Sequence, residues 1–302
     1  MGPTASGKTD QALALADAFP LALINADSAQ IYRGMDVGTA KPPAEVRARY
    51  PHALMDFRDP AEPFSAGDYA RAARQEAEAA FARERVPCLV GGTGLYFRAF
   101  AEGLAAMPGA DDALRQRLRD EASQIGWAGL HQRLAAVDAE AAARIHPGDS
   151  QRLQRALEVY ELTGRPLSAL QREPDLPPVA YPILRLGLWL PREELWRRIE
   201  TRFRTMLAEG LVAEVEALLA AGVGADTPAL RAVGYRQVAD YLRGETTYER
   251  MVERGIVATR RLAKRQLTWF RRTPGVDWFR ADDPAGIEAR VADFLAGRCG
   301  GE

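Results

Sequence analysis

Gly2-Pro3-Thr4-Ala5-Ser6-Gly7-Lys8-Thr9 matches G-x-x-x-x-G-K-[ST], the spacing of a phosphate-binding loop. Gly2 and Gly7 let the backbone curl until successive N–H groups point at one anion. The helix that follows adds its N-terminus, where unpaired N–H groups and the helix dipole favour negative charge. Lys8 can reach the outer phosphate, and the Thr9 hydroxyl can ligate Mg²⁺. The pattern specifies a diphosphate or triphosphate and leaves open what that group is attached to. Such a loop normally joins a buried parallel strand to a helix. Only Met1 precedes Gly2, so the first core strand is expected to be missing from the N-terminus, the start of the protein lying upstream.

Further along, short apolar runs end on polar residues. Thr9 to Ala18 reads as the helix after the loop, with Ala12, Leu13, Leu15 and Ala16 apolar. Residues 21–26 fit a buried parallel strand, and Asp27 stands at its carboxyl end. Open α/β sheets place their sites at the carboxyl ends of strands, so Asp27 is expected to face the phosphate loop. A Mg²⁺ carboxylate or a helix cap is the plainer reading of that residue. Residues 27–42 are polar, Gly-punctuated and without periodicity; a loop of this length bearing Tyr32, Arg33 and Lys41 reads as functional. Strand candidates follow at 52–57 and 86–90, around an Ala-rich helix capped by Ser65. Gly91-Gly92-Thr93-Gly94 again follows a strand, which directs Thr93 to the same cleft.

After Pro108-Gly109 the texture changes. Helical signals alone occupy 111–172, at 111–123, 127–137, 139–144 and 150–163, separated by His146-Pro147-Gly148 and Thr163-Gly164-Arg165-Pro166. A Pro-rich exit from Pro174 to Pro182 leads to another strand at 183–190. The expected fold is α/β: a P-loop NTPase-like parallel sheet core from 1–109 and 181–302, with a helical insertion domain over 110–180. His131 and His146 lack ligand-like spacing and read as structural. Pro191 opens a helix carrying Arg197, Arg198, Arg202 and Arg204. That helix starts at the carboxyl end of a strand, so one of these arginines can face the phosphates.

Formal net charge is −1, with 47% hydrophobic and 27% charged residues, so any nucleic-acid site must be a local patch. Lysine is confined to Lys8, Lys41 and Lys264, an arginine bias that needs no more than codon usage. Cys88 and Cys299 are far apart, which suits a reducing cytoplasm and gives no metal cluster. No apolar run approaches the ~18 residues of a membrane span and no signal peptide precedes the loop. Against this neutral background, residues 254–272 hold seven basic residues and no acidic one. On a helix at ~100° per residue they fall within an arc of roughly 140°. Leu262, Ala263, Leu267, Trp269 and Phe270 fall opposite. A single-sign face of this kind suits a polyanion.

Six stretches together resemble the bacterial tRNA dimethylallyltransferase (tRNA isopentenyltransferase) family, which prenylates the adenosine next to the anticodon. They are 2–9, Asp-Ser-Ala-Gln-Ile-Tyr-Arg-Gly-Met-Asp-Val-Gly-Thr-Ala-Lys-Pro at 27–42, Val-Gly-Gly-Thr-Gly-Leu-Tyr at 90–96, Gln-Arg-Leu-Gln-Arg-Ala-Leu-Glu at 151–158, Arg-Ala-Val-Gly-Tyr-Arg-Gln at 231–237 and Lys-Arg-Gln-Leu-Thr-Trp-Phe-Arg at 264–271. The resemblance implies that Gly2, Pro3, Thr4, Ala5, Ser6, Gly7, Lys8 and Thr9 hold the diphosphate of dimethylallyl diphosphate in place of ATP. It implies Arg202 beside Lys8 as a neutralising cation, Mg²⁺ as cofactor at Thr9, and Asp27 as the catalytic carboxylate, with Lys8, Arg202 and Thr93 sharing the chemistry. It implies tRNA contacts from Asp27, Ser28, Ala29 and Gln30, from Gln151, Arg152, Leu153, Gln154 and Arg155, from Arg231, Gly234, Tyr235 and Arg236, and from Lys264, Arg265, Gln266, Trp269 and Arg271. The expected protein is a cytoplasmic monomer that meets no membrane. Three other readings compete: a P-loop kinase, a non-catalytic RNA-binding module with a vestigial loop, and a relative that prenylates free adenine nucleotides without needing the basic helix.

Overall fold

The computed structural model describes residues 1–173 and 175–297; Pro174 and Cys299 lie outside them. Elements run α1 (Lys8–Ala18), β1 (Leu21–Asn25), α2 (Ala44–Arg49), β2 (His52–Ala53), α3 (Ala66–Phe81), β3 (Val86–Val90) and α4 (Gly94–Glu102). There follow α5 (Asp112–Val137), α6 (Ala139–Arg144), α7 (Ser150–Thr163), α8 (Leu167–Leu170) and β4 (Arg185–Trp189). The chain ends with α9 (Arg192–Ala208), α10 (Leu211–Ala220), α11 (Tyr235–Leu242), α12 (Tyr248–Arg271), β5 (Val276–Arg280) and α13 (Pro284–Leu295). It divides into two compact units, Met1–Ala101 with Ala180–Glu302, and Glu102–Val179.

In the first unit β1 reads as a continuous apolar run because both its faces are covered: Leu21, Leu23 and Ile24 are all buried. It pairs in parallel with β2 on one side and β3 on the other. Asn25 lies opposite Val90, so the chain segments leaving β1 and β3 emerge side by side at one edge of the sheet. The Ala26 N–H donates to the Val90 carbonyl (2.8 Å) and the Thr93 N–H returns to Ala26 (3.1 Å). The strand expected over 52–57 shrinks to two residues, because Leu54 and Asp56 take left-handed φ of 58° and 57° and break the ladder.

β4 and β5 form a second parallel pair. Where a strand is expected ahead of the phosphate loop, Met1 alone continues the pairing. Its nitrogen donates to the Leu186 carbonyl (2.7 Å) and its carbonyl accepts from the Leu188 N–H (2.9 Å). The described strands fall into two sheets, and an apolar groove of about 480 Å³ is lined by Leu15, Val86, Cys88, Leu186 and Leu188. Burial there pushes the Cys88 thiol up to about 11, so it stays protonated. A helical layer holds the other side of the unit: Phe203 of α9, Leu211 of α10, Tyr235 of α11 and Met251 of α12 share one core with Ile31 and Met35.

The second unit is helical. α5 is two helices in one, broken at Gly126 (φ 74°, ψ 162°). Leu114, Leu118, Leu130 and Leu134 of α5 bury against Leu153 and Leu157 of α7. The unit begins ahead of Pro108-Gly109 because its entry segment is stitched to its exit, the Asp175 N–H donating to the Leu104 carbonyl (3.0 Å). Glu158, wholly buried, accepts from Arg115 (2.8 Å), Arg155 (2.6 Å) and the Asp111 N–H (2.9 Å). Burial raises its carboxyl, and these three donors more than reverse that, leaving it below the usual range.

This network turns two of the α7 residues expected at the tRNA, Leu153 and Arg155, into the helical unit. Leu153 is fully buried in the core, and Arg155 is committed to Glu158 and the Pro108 carbonyl (2.7 Å). Gln154 donates to the Arg115 carbonyl (2.7 Å). Gln151 and Arg152 are the exposed members of the stretch, Arg152 beside Asp149. His131 meets the carbonyls of Ala142 and Ile145, a structural role.

Candidate active site

The phosphate loop is wound tightly. Ala5 and Gly7 both take left-handed φ, 64° and 83°, and the Ser6 N–H closes back on the Pro3 carbonyl (3.3 Å). Ser6 is fully buried and its hydroxyl meets no partner within the protein. Lys8 folds over the loop, its Nζ donating to the Pro3 carbonyl (2.8 Å). Burial lowers its pKa to about 8; Asp27 opposes that shift and Arg202 adds to it. Arg202 reaches the same place from α9. Burial lowers its pKa as well, against Asp27 and Asp10, and its Nε has no partner within the protein.

Asp27 is held by its own neighbours. Asn25, 1% exposed, accepts from the Asp27 N–H (3.1 Å) and donates to the carbonyls of Asp27 (3.1 Å) and Leu54 (3.0 Å). The Asp27 Oδ1 accepts from the Ala29 N–H (2.9 Å) and leaves the second carboxylate oxygen to the cleft. Thr93 stands alongside, its Oγ1 accepting from the Ser28 N–H (2.9 Å) and lying 3.2 Å from the Ser28 hydroxyl. An amide closing the run Leu-Ala-Leu-Ile-Asn is the only hint of Asn25 in the sequence, and no motif includes it.

Two cavities meet at this point. The larger, about 1300 Å³, is lined by Lys8, Thr9 and Asp10 together with Arg197, Arg198 and Lys41. The smaller, about 480 Å³, is lined by Thr93, Phe203, Arg231, Leu262 and Trp269. Thr4, Ala5, Asp27 and Arg202 belong to both. Asp27 thus sits at a junction with a cationic chamber on one side and a partly aromatic one on the other.

The loop 27–42 is fixed from below and above. Buried Lys41 donates to the Tyr32 carbonyl, Asp36 (2.8 Å) and Asp56 (2.7 Å). Glu214 of α10 accepts the N–H groups of Asp36 (2.7 Å), Val37 (2.7 Å) and Gly38 (3.0 Å), and the Tyr235 hydroxyl. No local pattern signals Glu214. Tyr235, expected among the tRNA contacts, is fully buried with its hydroxyl on that carboxylate, although it lines the smaller cavity; burial and Glu214 raise its pKa far above the usual phenol range. Gln30 also spends its amide inside the loop, on the Thr39 (3.0 Å) and Ala40 (3.3 Å) carbonyls. Ser28, Arg231 and Arg236 are exposed and Ala29 half-buried, while Gly234 starts α11 with φ 98°.

α12 delivers a polar face to this cleft. Ala263 and Phe270 are buried, and Arg254, Arg261, Lys264, Arg265, Arg271 and Arg272 are exposed. Among the described residues none of these six forms an ion pair, whereas Arg260 pairs with Glu200 (3.0 Å). Where α12 crosses the 91–94 turn, the glycines are required by contact. A Cβ on Gly92 would lie 2.4 Å from the Gln266 Nε2, and one on Gly94 would lie 2.2 Å from the Trp269 ring.

Residues 30–273 match the family model for IPP transferase. The chain belongs to the IPP transferase family. Curated relatives include the tRNA dimethylallyltransferase of Halorhodospira halophila, 54% identical over 305 residues covering 100% of this chain and 97% of that one. The tRNA dimethylallyltransferase of Alkalilimnicola ehrlichii is 53% identical over 98% of this chain and 95% of its own. Among solved structures, the full-length tRNA isopentenylpyrophosphate transferase of Bacillus halodurans is 38% identical, with TM-score 0.70 over 98% of this chain and 94% of that one. A eukaryotic dimethylallyltransferase acting on tRNA superposes with TM-score 0.79 at 25% identity, over 99% of this chain and 79% of that chain. The IPP transferase fold here carries no described helix long and apolar enough to cross a membrane.

Proposed function

We propose that this chain transfers the dimethylallyl group of dimethylallyl diphosphate to N6 of the adenosine 3′ to the anticodon in tRNA, releasing diphosphate. The observation that carries the reading is Asp27 at the junction of the two cavities, beside Lys8, Arg202 and Thr93. The donor diphosphate sits against the loop and its cations, in the larger chamber. The acceptor base enters the smaller one, splayed out of its stack to reach the carboxylate. We take the protein to act as a cytoplasmic monomer, a reading in keeping with a tRNA substrate.

The exocyclic N6 is a poor nucleophile because its lone pair is delocalised into the ring. Asp27 accepts its N–H, raises its electron density and takes the proton as the N6–C1 bond forms. On the donor the C1–O bond breaks, and the allylic carbon spreads the positive charge. The electron pair leaves with the diphosphate, where loop N–H groups, Lys8 and Arg202 stabilise it. Thr93 keeps Ser28, and with it the backbone next to Asp27, in place. Among the described residues there is no cluster of three His, Cys, Asp or Glu side chains. The Thr9 hydroxyl and Asp27 instead line one chamber with hard oxygen donors. That set fits Mg²⁺, which keeps waters and binds through substrate phosphates. Thr9 would hold it, and it would add positive charge at the leaving diphosphate.

The test is transfer of label from dimethylallyl diphosphate to unmodified tRNA by purified protein with Mg²⁺. Label on AMP and none on tRNA would make it a nucleotide prenyltransferase. Phosphoryl transfer from ATP without prenyl transfer would make it a kinase.

A further inference from the structure

Gln266 lies on the basic helix, within the stretch whose resemblance assigns it to tRNA. Its side chain points elsewhere. The Oε1 accepts the Thr4 N–H (2.8 Å), 262 residues away, and the Nε2 donates to the Gly92 carbonyl (3.0 Å). Both polar ends of the amide are therefore engaged by backbone. One end grips the phosphate loop and the other grips the turn that carries Thr93. The bare Cα of Gly92 admits this approach, since any Cβ would collide with the amide nitrogen.

We propose that Gln266 is a positioning residue, a strut from α12 that sets the spacing between the phosphate loop and the Gly91–Gly94 turn, and so between the donor diphosphate and the Asp27–Thr93 side of the cleft. It also removes one loop N–H from the ring that faces the anion, since the Thr4 amide is spent on it. The strut acts through geometry: a misplacement of about 1 Å between reacting groups costs on the order of a hundredfold in rate. Its neighbours on the helix, Lys264 and Arg265, are exposed, so binding of a polyanion to α12 bears directly on the element that fixes the loop. The proposal rests on the prenyl-transfer reading for its kinetic consequence and on hydrogen bonding alone for its effect on anion binding.

Two substitutions separate the alternatives. Gln266→Met keeps the length and the packing against Gly92 and removes both hydrogen bonds, and Gln266→Ala removes packing as well. For both variants we expect inorganic diphosphate affinity, measured by calorimetry without tRNA, to fall about tenfold. We expect the donor KM to rise and kcat to fall, with tRNA affinity staying within about twofold. A Met variant equal to the unaltered protein would overturn the strut in favour of simple packing. Lost tRNA affinity with diphosphate binding intact would show that the amide reads RNA. If the unaltered protein binds diphosphate but transfers no prenyl group, the functional reading fails, and the calorimetric arm still decides the strut.

Discussion

Two groups of cations stand in opposite surroundings in this molecule. Lys8 and Arg202 are half-buried near Asp27, their pKa values lowered by partial loss of water, and they line the chamber of about 1300 Å³ beside the phosphate loop. The six basic residues along α12 lie in solvent without carboxylate partners among the described residues. A charge in a desolvated site acts strongly at short range and is little screened. Charges on an open face act weakly and together, and salt erases them. On the proposed function, the same residue types would stabilise one leaving group in the first case and give a broad grip on a polymer in the second.

The comparison can be broken at its centre by Asp27→Asn. We expect single-turnover prenyl transfer to fall by about 10²–10⁴ with donor and tRNA affinities nearly unchanged; parallel loss of binding would make Asp27 a structural residue. Next in size, Lys8→Ala should lower kcat/KM for the donor by about 10²–10³, and equally at low and high salt. A deficit that vanished in high salt would place Lys8 with the surface charges. Lys264→Ala combined with Arg271→Ala should weaken tRNA binding and flatten its salt slope by about 1.4, two phosphate contacts at ~0.7 each. An unchanged slope would exclude this face as the phosphate grip.

The gentlest probe is pH. The Lys8 pKa is lowered from 10.5 to about 8 in the folded chain. Between those values the unfolded chain binds the extra proton, so stability rises with pH from about 8 to 10.5. Donor affinity should move the other way, declining above pH 8 as Lys8 loses its charge. Titrating diphosphate binding from pH 7 to 10 checks this, and Lys8→Arg should flatten the curve.

The sequence disclosed what local pattern can encode. The loop at 2–9, the carboxylate closing β1, the glycine turn closing β3 and the one-signed face of α12 were all readable, because each is a spacing or a periodicity. What escaped is who meets whom. Tyr235 follows Gly234 and looks like an exposed aromatic among arginines, yet Glu214 of a different helix claims its hydroxyl and the core claims its ring. Arg155 and Arg152 share a helix three residues apart, yet buried Glu158 draws in one and leaves the other in solvent. Gln266 looks like part of an RNA motif, and only the fold reveals that its amide ends on Thr4 and Gly92. Asn25 needed the neighbouring Leu54 carbonyl to explain it.

The hydrogen bond from Thr4 to Gln266 has a consequence for how the molecule comes into being. Thr4 leaves the ribosome well before its partner, which follows 262 positions later. The Glu214 carboxylate that ties down Asp36, Val37 and Gly38 arrives almost as late, 176 to 178 residues behind them. Contacts this distant in sequence close slowly and after local structure. The phosphate loop is therefore completed long after it is synthesised, and the nascent chain carries an unfinished anion site until helix α12 has emerged to close it.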